Sequence, residues 1–287
     1  MIHFFALHKD IQDNYKKYIP HIKAMVNSAI ENTSLKSYFI YDGKPDKITR
    51  WLDKKGVTTI YHKFMVFTHP DMKKFFEPVF KNKTDYPHLN INVGKGAFLR
   101  LDIPFVMDVN KKLDLYRDGN HVLYTDCDVI FEKDPIQAFK FVISGNEDKP
   151  FFIAKEFNYN EINPYYNTGV MLMNVDVYKN KVLEFFNYLG KYVEFYRFQD
   201  YDQMPLSVFF KDKIGILDDK FNHRPYNGVN KDVFITHYHG LKYHHLKECL
   251  QNGKHDNKVL DNLYQKDIKS FNYYFQLFET YLLQSPN

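Results

Sequence analysis

Apolar positions in the first part of the chain form short continuous runs that alternate with stretches of helical spacing. The short runs are rich in β-branched and aromatic residues, which predicts three strands, at 2–7, 37–41 and 57–61. The stretches between them predict two helices, within 14–31 and at 46–55. Since proline is tolerated best in a first turn, we expect the first helix to begin at Pro20. Strands that alternate with helices predict an α/β fold in which helices cover both faces of a parallel sheet.

The same reading continues through the rest of the chain, where polar loops separate the predicted elements. We expect a loop and a short helix at 62–93, a helix at 96–106 that is interrupted near Pro104, and a polar loop at 111–118. We then expect a helix from Pro135 to Val142 capped by Asp134, a strand at 151–154, a turn at 167–169, a buried strand at 170–174, and a helix at 177–198 capped by Asp176. A short strand at 214–217 and another that runs into His237 precede an aromatic-rich helical region.

The composition is that of a globular protein and argues against several classes of function. The 287 residues are enough for one large domain or two modest ones. With 39 basic and 35 acidic residues, the charge is too balanced to indicate a nucleic-acid-binding protein. The two cysteines, Cys127 and Cys249, indicate no disulfide framework, so we expect a reducing, cytoplasmic compartment. The N-terminus does not resemble a signal peptide, and no apolar run is long enough to span a membrane.

Two carboxylates, Asp126 and Asp128, interrupt an apolar run at 121–131 that predicts a buried strand. Carboxylates are rarely buried unless they are paired or bind a metal ion. In an extended segment, residues i and i+2 point to the same side, so these two side chains can converge on one hard cation such as Mg²⁺ or Mn²⁺. The alternative is a strand end at which the two aspartates only cap a turn.

The segment Asp126-Cys127-Asp128 resembles the Asp-x-Asp motif of GT-A-fold glycosyltransferases. With four further segments in the same order, the sequence resembles glycosyltransferase family 8, the group of glycogenin and bacterial lipopolysaccharide galactosyltransferases. Those segments are 100–104, 167–174, 202–203 and 237–242. The resemblance implies a GT-A-type, Rossmann-like mixed sheet flanked by helices. The glycosyltransferase domain would span 1–245, and 246–287 would form a helical extension packed on it.

The resemblance also implies an activity and a role for individual residues. The protein would transfer a sugar from a nucleotide sugar, usually a UDP-sugar, to a glycan or lipid-linked saccharide in polysaccharide biosynthesis, with retention at the anomeric carbon. The ligands of Mn²⁺ (or Mg²⁺) would be Asp126, Asp128 and His237. The nucleotide and its diphosphate would be contacted by Ala6, Leu7, Arg100, Asp126, Gly240 and Lys242. The donor sugar and its reacting carbon would lie near Asn167, Asp202 and Gln203.

The chemistry of these residues fits such a transfer. A divalent cation together with Lys242 can stabilise a diphosphate leaving group as the glycosidic bond breaks. For a retaining reaction, Asp202 is a candidate nucleophile and Asp200 a poorer one. Gln203 is a weak nucleophile and is better suited to position the sugar or to stabilise positive charge. We prefer front-face transfer, in which the leaving phosphate oxygen helps to deprotonate the acceptor.

Two departures from the family pattern concern the nucleotide and diphosphate contacts. Residues 8–12 lengthen the approach to Asp13-Asn14-Tyr15, which resembles the family's Asp-x-Asn-Tyr segment. Lys242 is followed by Tyr243-His244, where the family usually continues with Pro-Trp.

Other interpretations stay open. The segment 123–129 also resembles the first motif of haloacid-dehalogenase-type phosphatases, in which Asp126 would be the nucleophile and Asp128 a general acid, with Asp218-Asp219 as the late acidic pair. A protein that binds nucleotide sugars without catalysis is a further alternative. The aromatic C-terminal region could contact the inner face of a membrane beside a lipid-linked acceptor, although ordinary packing on the domain explains it as well.

Overall fold

The computed structural model describes residues 1–9, 15–65, 96–117, 119–156, 165–196 and 202–284. Most of the loop and helix predicted at 62–93 lies outside these ranges, as does Asp200. The chain divides into two compact units. The first comprises Met1–Tyr15, Lys36–Thr125 and Val142–Leu217, and the second comprises Lys16–Leu35, Asp126–Phe141 and Asp218–Asn287. The domain boundary at 245 stays a prediction.

Most strands form where the sequence predicts them, but the single strand predicted at 121–131 is wrong: a turn at Cys127 and Asp128 divides it into two strands that belong to different sheets. In the described residues the strands are β1 (Ile2–His8), β2 (Lys36–Asp42), β3 (Thr58–Tyr61), β4 (His121–Thr125), β5 (Val129–Phe131), β6 (Phe151–Lys155), β7 (Tyr166–Asn174), β8 (Ile214–Leu217) and β9 (Ile235–His237). Seven of them build the sheet of the first unit, in the order β3-β2-β1-β4-β7-β6-β8. Strands β1 to β4 are parallel, as expected, whereas β7 runs antiparallel to both neighbours. The sheet is therefore mixed.

The helices of the described residues follow the same alternation. They are α1 (Tyr15–Asn32), α2 (Lys47–Lys54), α3 (Ile103–Val109), α4 (Ile136–Ile143), α5 (Val175–Lys179), α6 (Val182–Tyr196), α7 (Gln203–Phe209), α8 (Tyr243–Asn252), α9 (Lys258–Lys266) and α10 (Ile268–Leu283). Short 3₁₀ turns include Leu99–Asp102, Lys111–Leu113 and Asp219–Phe221. The interruption expected near Pro104 is the 3₁₀ turn that precedes α3, and Pro104 lies in the first turn of that helix.

The predicted start of the first helix at Pro20 is wrong, because α1 begins at Tyr15 and Pro20 lies inside it. A proline inside a helix removes one main-chain hydrogen bond and costs about 3 kcal/mol. Burial of the following turns, with Ile22, Met25 and Val26 almost fully inaccessible, outweighs that cost. Tertiary packing thus overrides the local preference of proline for a helix start.

Two further boundaries differ from the prediction because main-chain hydrogen bonds were not visible in the pattern. The turn expected at 167–169 is part of β7, where pairing with β6 continues past a bulge at Ile153 and Ala154. The helix expected at 177–198 is divided into α5 and α6. Its N-cap is Asn174, whose side chain accepts from the amide of Val177, and not Asp176.

The core of the second unit accounts for most of the aromatic C-terminal residues. Five side chains of 264–281 are buried in a cluster with Ile130 and Tyr238, namely Tyr264, Phe271, Tyr274, Phe278 and Tyr281. These rings are therefore buried by packing within the unit, whereas Ile268 and Leu283 are exposed. Contact with a membrane stays a prediction. Among the described residues, no helix combines the length and the apolar character needed to cross a bilayer.

We expect Gly215→Ala in β8 to destabilise the fold. A Cβ atom at this position would approach a ring carbon of the buried Phe152 to 2.2 Å, so the ring or the strand must move. Overpacking of this kind costs about 1–3 kcal/mol, which urea unfolding would report as a lower midpoint with an unchanged slope. The neighbouring Ile216 is exposed, so Ile216→Thr should change the free energy of unfolding by about 0.5 kcal/mol or less. Equal midpoints for Gly215→Ala and wild type would contradict the packing described.

Candidate active site

The antiparallel pairing of β5 with β9 brings the predicted metal ligands together in the second unit. Val129 lies opposite His237, and the amide of Tyr238 donates to the carbonyl of Asp128 over 2.9 Å. His237 Nε2 lies 3.8 Å from Asp126 Oδ2 and 3.6 Å from Asp128 Oδ1. Each of these three side chains offers one ligand atom, and the three atoms lie within 4.8 Å of one another. In the described part of the chain, no other group of His, Cys, Asp or Glu side chains meets this condition.

The orientation of His237 suits it to bind a metal ion. Its Nδ1 lies 2.8 Å from Oδ1 of Asn222, an oxygen that only accepts, so the imidazole proton sits on Nδ1. Nε2 then presents a lone pair towards the two carboxylates, and it is buried with no hydrogen-bond partner in the described residues. Such an arrangement is unfavourable unless a cation lies between the three groups. The orphaned nitrogen therefore fits a divalent metal ion to Asp126, Asp128 and His237.

Lys242, which immediately precedes α8, forms an ion pair with Asp128. Burial of Asp128 would by itself raise the pKa of its carboxyl group, but the charge of Lys242 holds that pKa well below its usual range. Burial of Lys242 opposes its charge as well, and Asp128 in turn raises the pKa of the ammonium above its usual range. A charged ammonium group therefore lies beside the metal ligands, where it can contact an anionic group.

Two side chains of α1 that the sequence analysis did not identify interact electrostatically with this cluster. Burial raises the pKa of Tyr18 to about 12, with Lys242 opposing the shift and Asp128 adding to it. Burial lowers the pKa of His21 to about 3, so its imidazole is neutral at physiological pH. The residues are three positions apart and share one helix face. The three-residue spacing is visible in the sequence, but no local pattern indicates that this face of α1 interacts with Asp128.

In the first unit, Arg100 connects the start of β7 to the residue before α7. Its guanidinium donates from Nε to the carbonyl of Ala97 over 2.7 Å and from Nη1 to the carbonyl of Thr168. The same Nε lies 3.3 Å from Oδ2 of Asp202, which is 2% exposed. The group also lies over the ring of Tyr124, 4.6 Å from its centroid. These contacts give Arg100 a structural role, and its contact with a nucleotide stays a prediction.

Three polar side chains form a second network in the first unit, and one of them was missed. Asn167 Nδ2 donates to Glu156 Oε2 over 2.9 Å and to Gln203 Oε1 over 3.3 Å. Glu156 is 4% exposed and directly follows β6. Glu156 lies just after the strand predicted at 151–154, so the sequence did carry a hint of a carboxylate at a strand end. Its position beside Asn167 and Gln203 makes it an additional candidate functional residue of the first unit.

The remaining predicted contacts lie in both units. Ala6 and Leu7 are buried near the carboxyl end of β1, which pairs in parallel with β2 on one side and β4 on the other. This is the switch point of the sheet, beyond which ligands of open α/β sheets bind. Gly240 belongs to the second unit and has φ of +71°, a conformation that glycine adopts without strain.

A family model supplies the evidence for classification. The model described as glycosyl transferase family 8 matches residues 12–248. The chain belongs to this family. The protein is accordingly a glycosyltransferase and not the phosphatase of the alternative interpretation. In the acidic pair that a phosphatase would use, the Asp218 side chain caps a 3₁₀ turn by accepting from the amide of Lys220 over 2.9 Å. No curated protein is similar enough in sequence to be counted as a relative.

Solved structures of glycosyltransferases share the GT-A fold of this family member. The galactosyltransferase LgtC, solved with donor and acceptor sugar analogs, has a TM-score of 0.60 and 16% identity, covering 98% of this chain and 96% of LgtC. The glycosyltransferase GlyE of Streptococcus pneumoniae TIGR4 has a TM-score of 0.56 and 17% identity, covering 97% of this chain and 63% of GlyE. Mouse xyloside xylosyltransferase 1 has a TM-score of 0.53 and 13% identity, and the match covers 83% of this chain and 97% of the xylosyltransferase. At these identities the likeness shows the fold alone.

We expect Asn222→Leu to weaken metal binding. The substitution removes the acceptor that holds the proton of His237 on Nδ1, and losing such a partner typically costs 10–100-fold in metal affinity. Titration with Mn²⁺, followed by the electron paramagnetic resonance signal of the free ion, measures the effect. Asn222→Asp keeps an acceptor oxygen and should bind at least as tightly as the wild type. Unchanged affinity in Asn222→Leu would show that this hydrogen bond does not orient the ligand.

We expect Lys242→Met to have opposite effects on two ligands. Without nucleotide, Mn²⁺ should bind as tightly as in the wild type or more tightly, because a like charge beside the carboxylates is removed. Affinity for UDP in the presence of Mn²⁺ should fall about tenfold or more, because a charge-assisted hydrogen bond is lost. Calorimetric titrations measure both, with Lys247→Met on the exposed face of α8 as control. Weaker Mn²⁺ binding with unchanged UDP binding would refute the role given to Lys242.

Proposed function

We propose that the protein is a metal-dependent hexosyltransferase that transfers a sugar from a UDP-sugar to a glycan or lipid-linked saccharide. One observation carries the proposal: two carboxylates and an imidazole with a free, buried Nε2 converge beside a charged lysine. Such a set binds a cation and an anion next to each other, as the diphosphate of a nucleotide sugar and its metal ion require.

The ion would be held by Asp126, Asp128 and His237, and Mn²⁺ suits this mixture of carboxylate and imidazole ligands. When bound, a divalent cation supplies positive charge to the diphosphate leaving group. Lys242 adds a second positive charge, which its pairing with Asp128 maintains. With both charges in place, the leaving group departs as an anion and needs no general acid on its side.

The polar groups of the first unit would bind the donor sugar. Asn167, Gln203 and Glu156 form one hydrogen-bonded network, and amide and carboxylate groups of this kind suit the recognition of sugar hydroxyls. Asp202 is buried, and its Oδ2 lies 3.3 Å from Nε of Arg100. Because this ion pair occupies the carboxylate, Asp202 is poorly suited to act as the nucleophile.

This position of Asp202 supports front-face transfer with retention. The bond between the anomeric carbon and the phosphate oxygen breaks as the bond to the acceptor oxygen forms on the same face. The acceptor proton passes to the departing phosphate oxygen, so no covalent intermediate on the protein is required.

We expect UDP to stabilise the protein against heat only when Mn²⁺ is present. Binding to the folded state alone contributes about 2.7 kcal/mol when free ligand is one hundred times Kd. The thermal shift should be lost in Asp128→Asn, because a buried metal ligand is removed, and kept in Asp256→Asn, whose side chain is exposed. In a panel of UDP-sugars, slow Mn²⁺-dependent release of UDP from one of them would identify the donor. No response of the wild type to any nucleotide would contradict the proposal.

A further inference from the structure

One helix, α10, contacts both ends of the segment that runs from His237 to Lys242. The ring of Tyr238, which directly follows His237, meets the buried ring of Phe278 edge to face, with 5.2 Å between the ring centroids. The ring of Tyr243, which directly follows Lys242, stacks on the same phenyl ring at 4.5 Å, with 14° between the planes. Both geometries are favourable for aromatic pairs. A single side chain of α10 therefore packs against the neighbours of a candidate metal ligand and of the charged lysine.

The contacts of Tyr243 extend along one face of α10. Its ring also stacks on Phe275, with 5.5 Å between the centroids and 5° between the planes. Its hydroxyl donates to Oε1 of Glu279. Phe278 and Glu279 follow Phe275 by three and four positions, so all three side chains project from the same side of the helix. Two stacked rings and one hydrogen bond thus fix Tyr243 at the start of α8.

Tyr238 is fixed by α10 as well, and its main chain connects it to the candidate metal site. Its hydroxyl donates to the carbonyl of Tyr274 over 2.7 Å. Its amide donates to the carbonyl of Asp128 over 2.9 Å. Between Tyr238 and Tyr243, Leu241 is buried in the same apolar cluster as Phe278. The segment 238–243 is therefore anchored at its first residue, at its last residue and at Leu241 between them.

The main chain of Lys242 is fixed by the first turn of α8. Its amide donates to Nδ1 of His245 over 3.2 Å, and its carbonyl accepts from the amide of Leu246 over 3.1 Å. Burial lowers the pKa of His245 to about 4, so its imidazole is neutral at physiological pH and Nδ1 can accept. Because its backbone and the following residue are both held, the flexible side chain of Lys242 extends from a fixed Cα atom towards Asp128.

The helix that holds Tyr243 belongs to the C-terminal region of this chain. Tyr243 stands where the family usually has a proline, a residue whose ring fixes its own φ angle. Here side-chain contacts with α10 fix that position instead. The family model matches residues 12–248, and α10 (Ile268–Leu283) lies beyond them. The constraint that follows Lys242 therefore comes from a part of the chain outside the matched region.

Taking the proposed function as given, we propose that α10 positions Lys242 for the diphosphate of the nucleotide sugar, acting through Tyr243. Lys242 is the group that contacts the diphosphate, and Tyr243 and Phe278 are positioning residues. A side chain that is ordered before the ligand arrives reduces the free energy lost on binding. The C-terminal helix is thus part of the nucleotide-binding site and does more than cover the core of its unit.

Tyr243→Leu tests this role, because it removes the ring at a half-buried position. Calorimetric titrations are made at a temperature at which circular dichroism shows the variant to be folded. Kd for UDP with Mn²⁺ should rise about threefold to tenfold, and no further than in Lys242→Met, since both changes act through one ammonium group. Kd for Mn²⁺ alone should stay the same or fall, because a positive charge beside Asp128 is held less firmly. A general disturbance of the site would instead weaken the binding of both ligands.

Two further variants separate positioning from an ordinary loss of stability. Tyr243→Phe keeps both ring contacts and loses only the bond to Glu279, so it should recover most of the UDP affinity lost in Tyr243→Leu. Tyr264→Leu makes the same change at a buried ring of α9 that packs on Phe271. It should lower the melting temperature at least as much as Tyr243→Leu does. Its Kd for UDP with Mn²⁺ should stay within about twofold of the wild-type value.

The double variant Tyr243→Leu with Lys242→Met measures whether the two residues act as one unit. If Tyr243 acts through Lys242, its substitution should change Kd for UDP little once the ammonium group is absent. A structural effect that does not involve Lys242 would make the two losses of affinity multiply.

The outcomes that overturn the inference differ from failure of the proposed function. Unchanged UDP affinity in Tyr243→Leu would reject it, as would multiplied losses in the double variant. Equal losses of UDP affinity in Tyr243→Leu and Tyr264→Leu would also reject it, and so would weaker binding of Mn²⁺ alone by Tyr243→Leu. In all these cases the wild type still binds UDP with Mn²⁺. If the wild type binds no UDP, the proposed function itself has failed.

Discussion

The buried charge of Asp128 is the constraint on which the second unit depends. A carboxylate that is 2% exposed costs several kcal/mol of free energy unless positive charge compensates it. Lys242, just before α8, and His237, at the end of β9, are remote from Asp128 in sequence and lie beside its carboxylate. Of the two, Lys242 supplies the compensating positive charge. Asp126 and Asp128 bring two negative charges and Lys242 one positive charge, and the neutral His21 adds none. One negative charge is left over, and this imbalance is what gives the cluster its attraction for a cation.

Both candidate sites rely on amide side chains whose direction is fixed by neighbours. In the second unit, the oxygen of Asn222 sets the tautomer of His237. In the first unit, main-chain amides at Thr168 and Gly169 set the carboxamides of Gln203 and Asn167. Groups held in this way need no rearrangement when a ligand arrives, so less of the binding free energy is spent on ordering the site.

The sequence predicted the parallel half of the sheet, the grouping of Asp126, Asp128 and His237, and the family, because these depend on local apolar runs and short motifs. It did not predict what depends on packing or on hydrogen bonds between distant residues. The start of α1 was misplaced because burial of Ile22 and Met25 outweighs the effect of Pro20. The N-cap at Asn174 was assigned to Asp176, since both residue types cap helices and only the main-chain geometry decides. The polarity of Gln203 depends on an amide in β7, which no spacing rule reveals.

The three candidate metal ligands are joined by a very short piece of sheet. Strands β5 and β9 span three residues each, and the pairing of Val129 with His237, together with the bond from the amide of Tyr238 to the carbonyl of Asp128, sets Asp128 against the imidazole. His223 of the intervening chain pairs with the same strand, since its amide donates to the carbonyl of Ile235 over 3.0 Å and its carbonyl accepts from the amide of His237 over 2.7 Å. Insertions and deletions in the intervening loops that lie away from Asn222 and His223 would therefore leave the register of the three candidate ligands unchanged. Sequence change in those loops can then accumulate while the geometry of the candidate metal site stays constant.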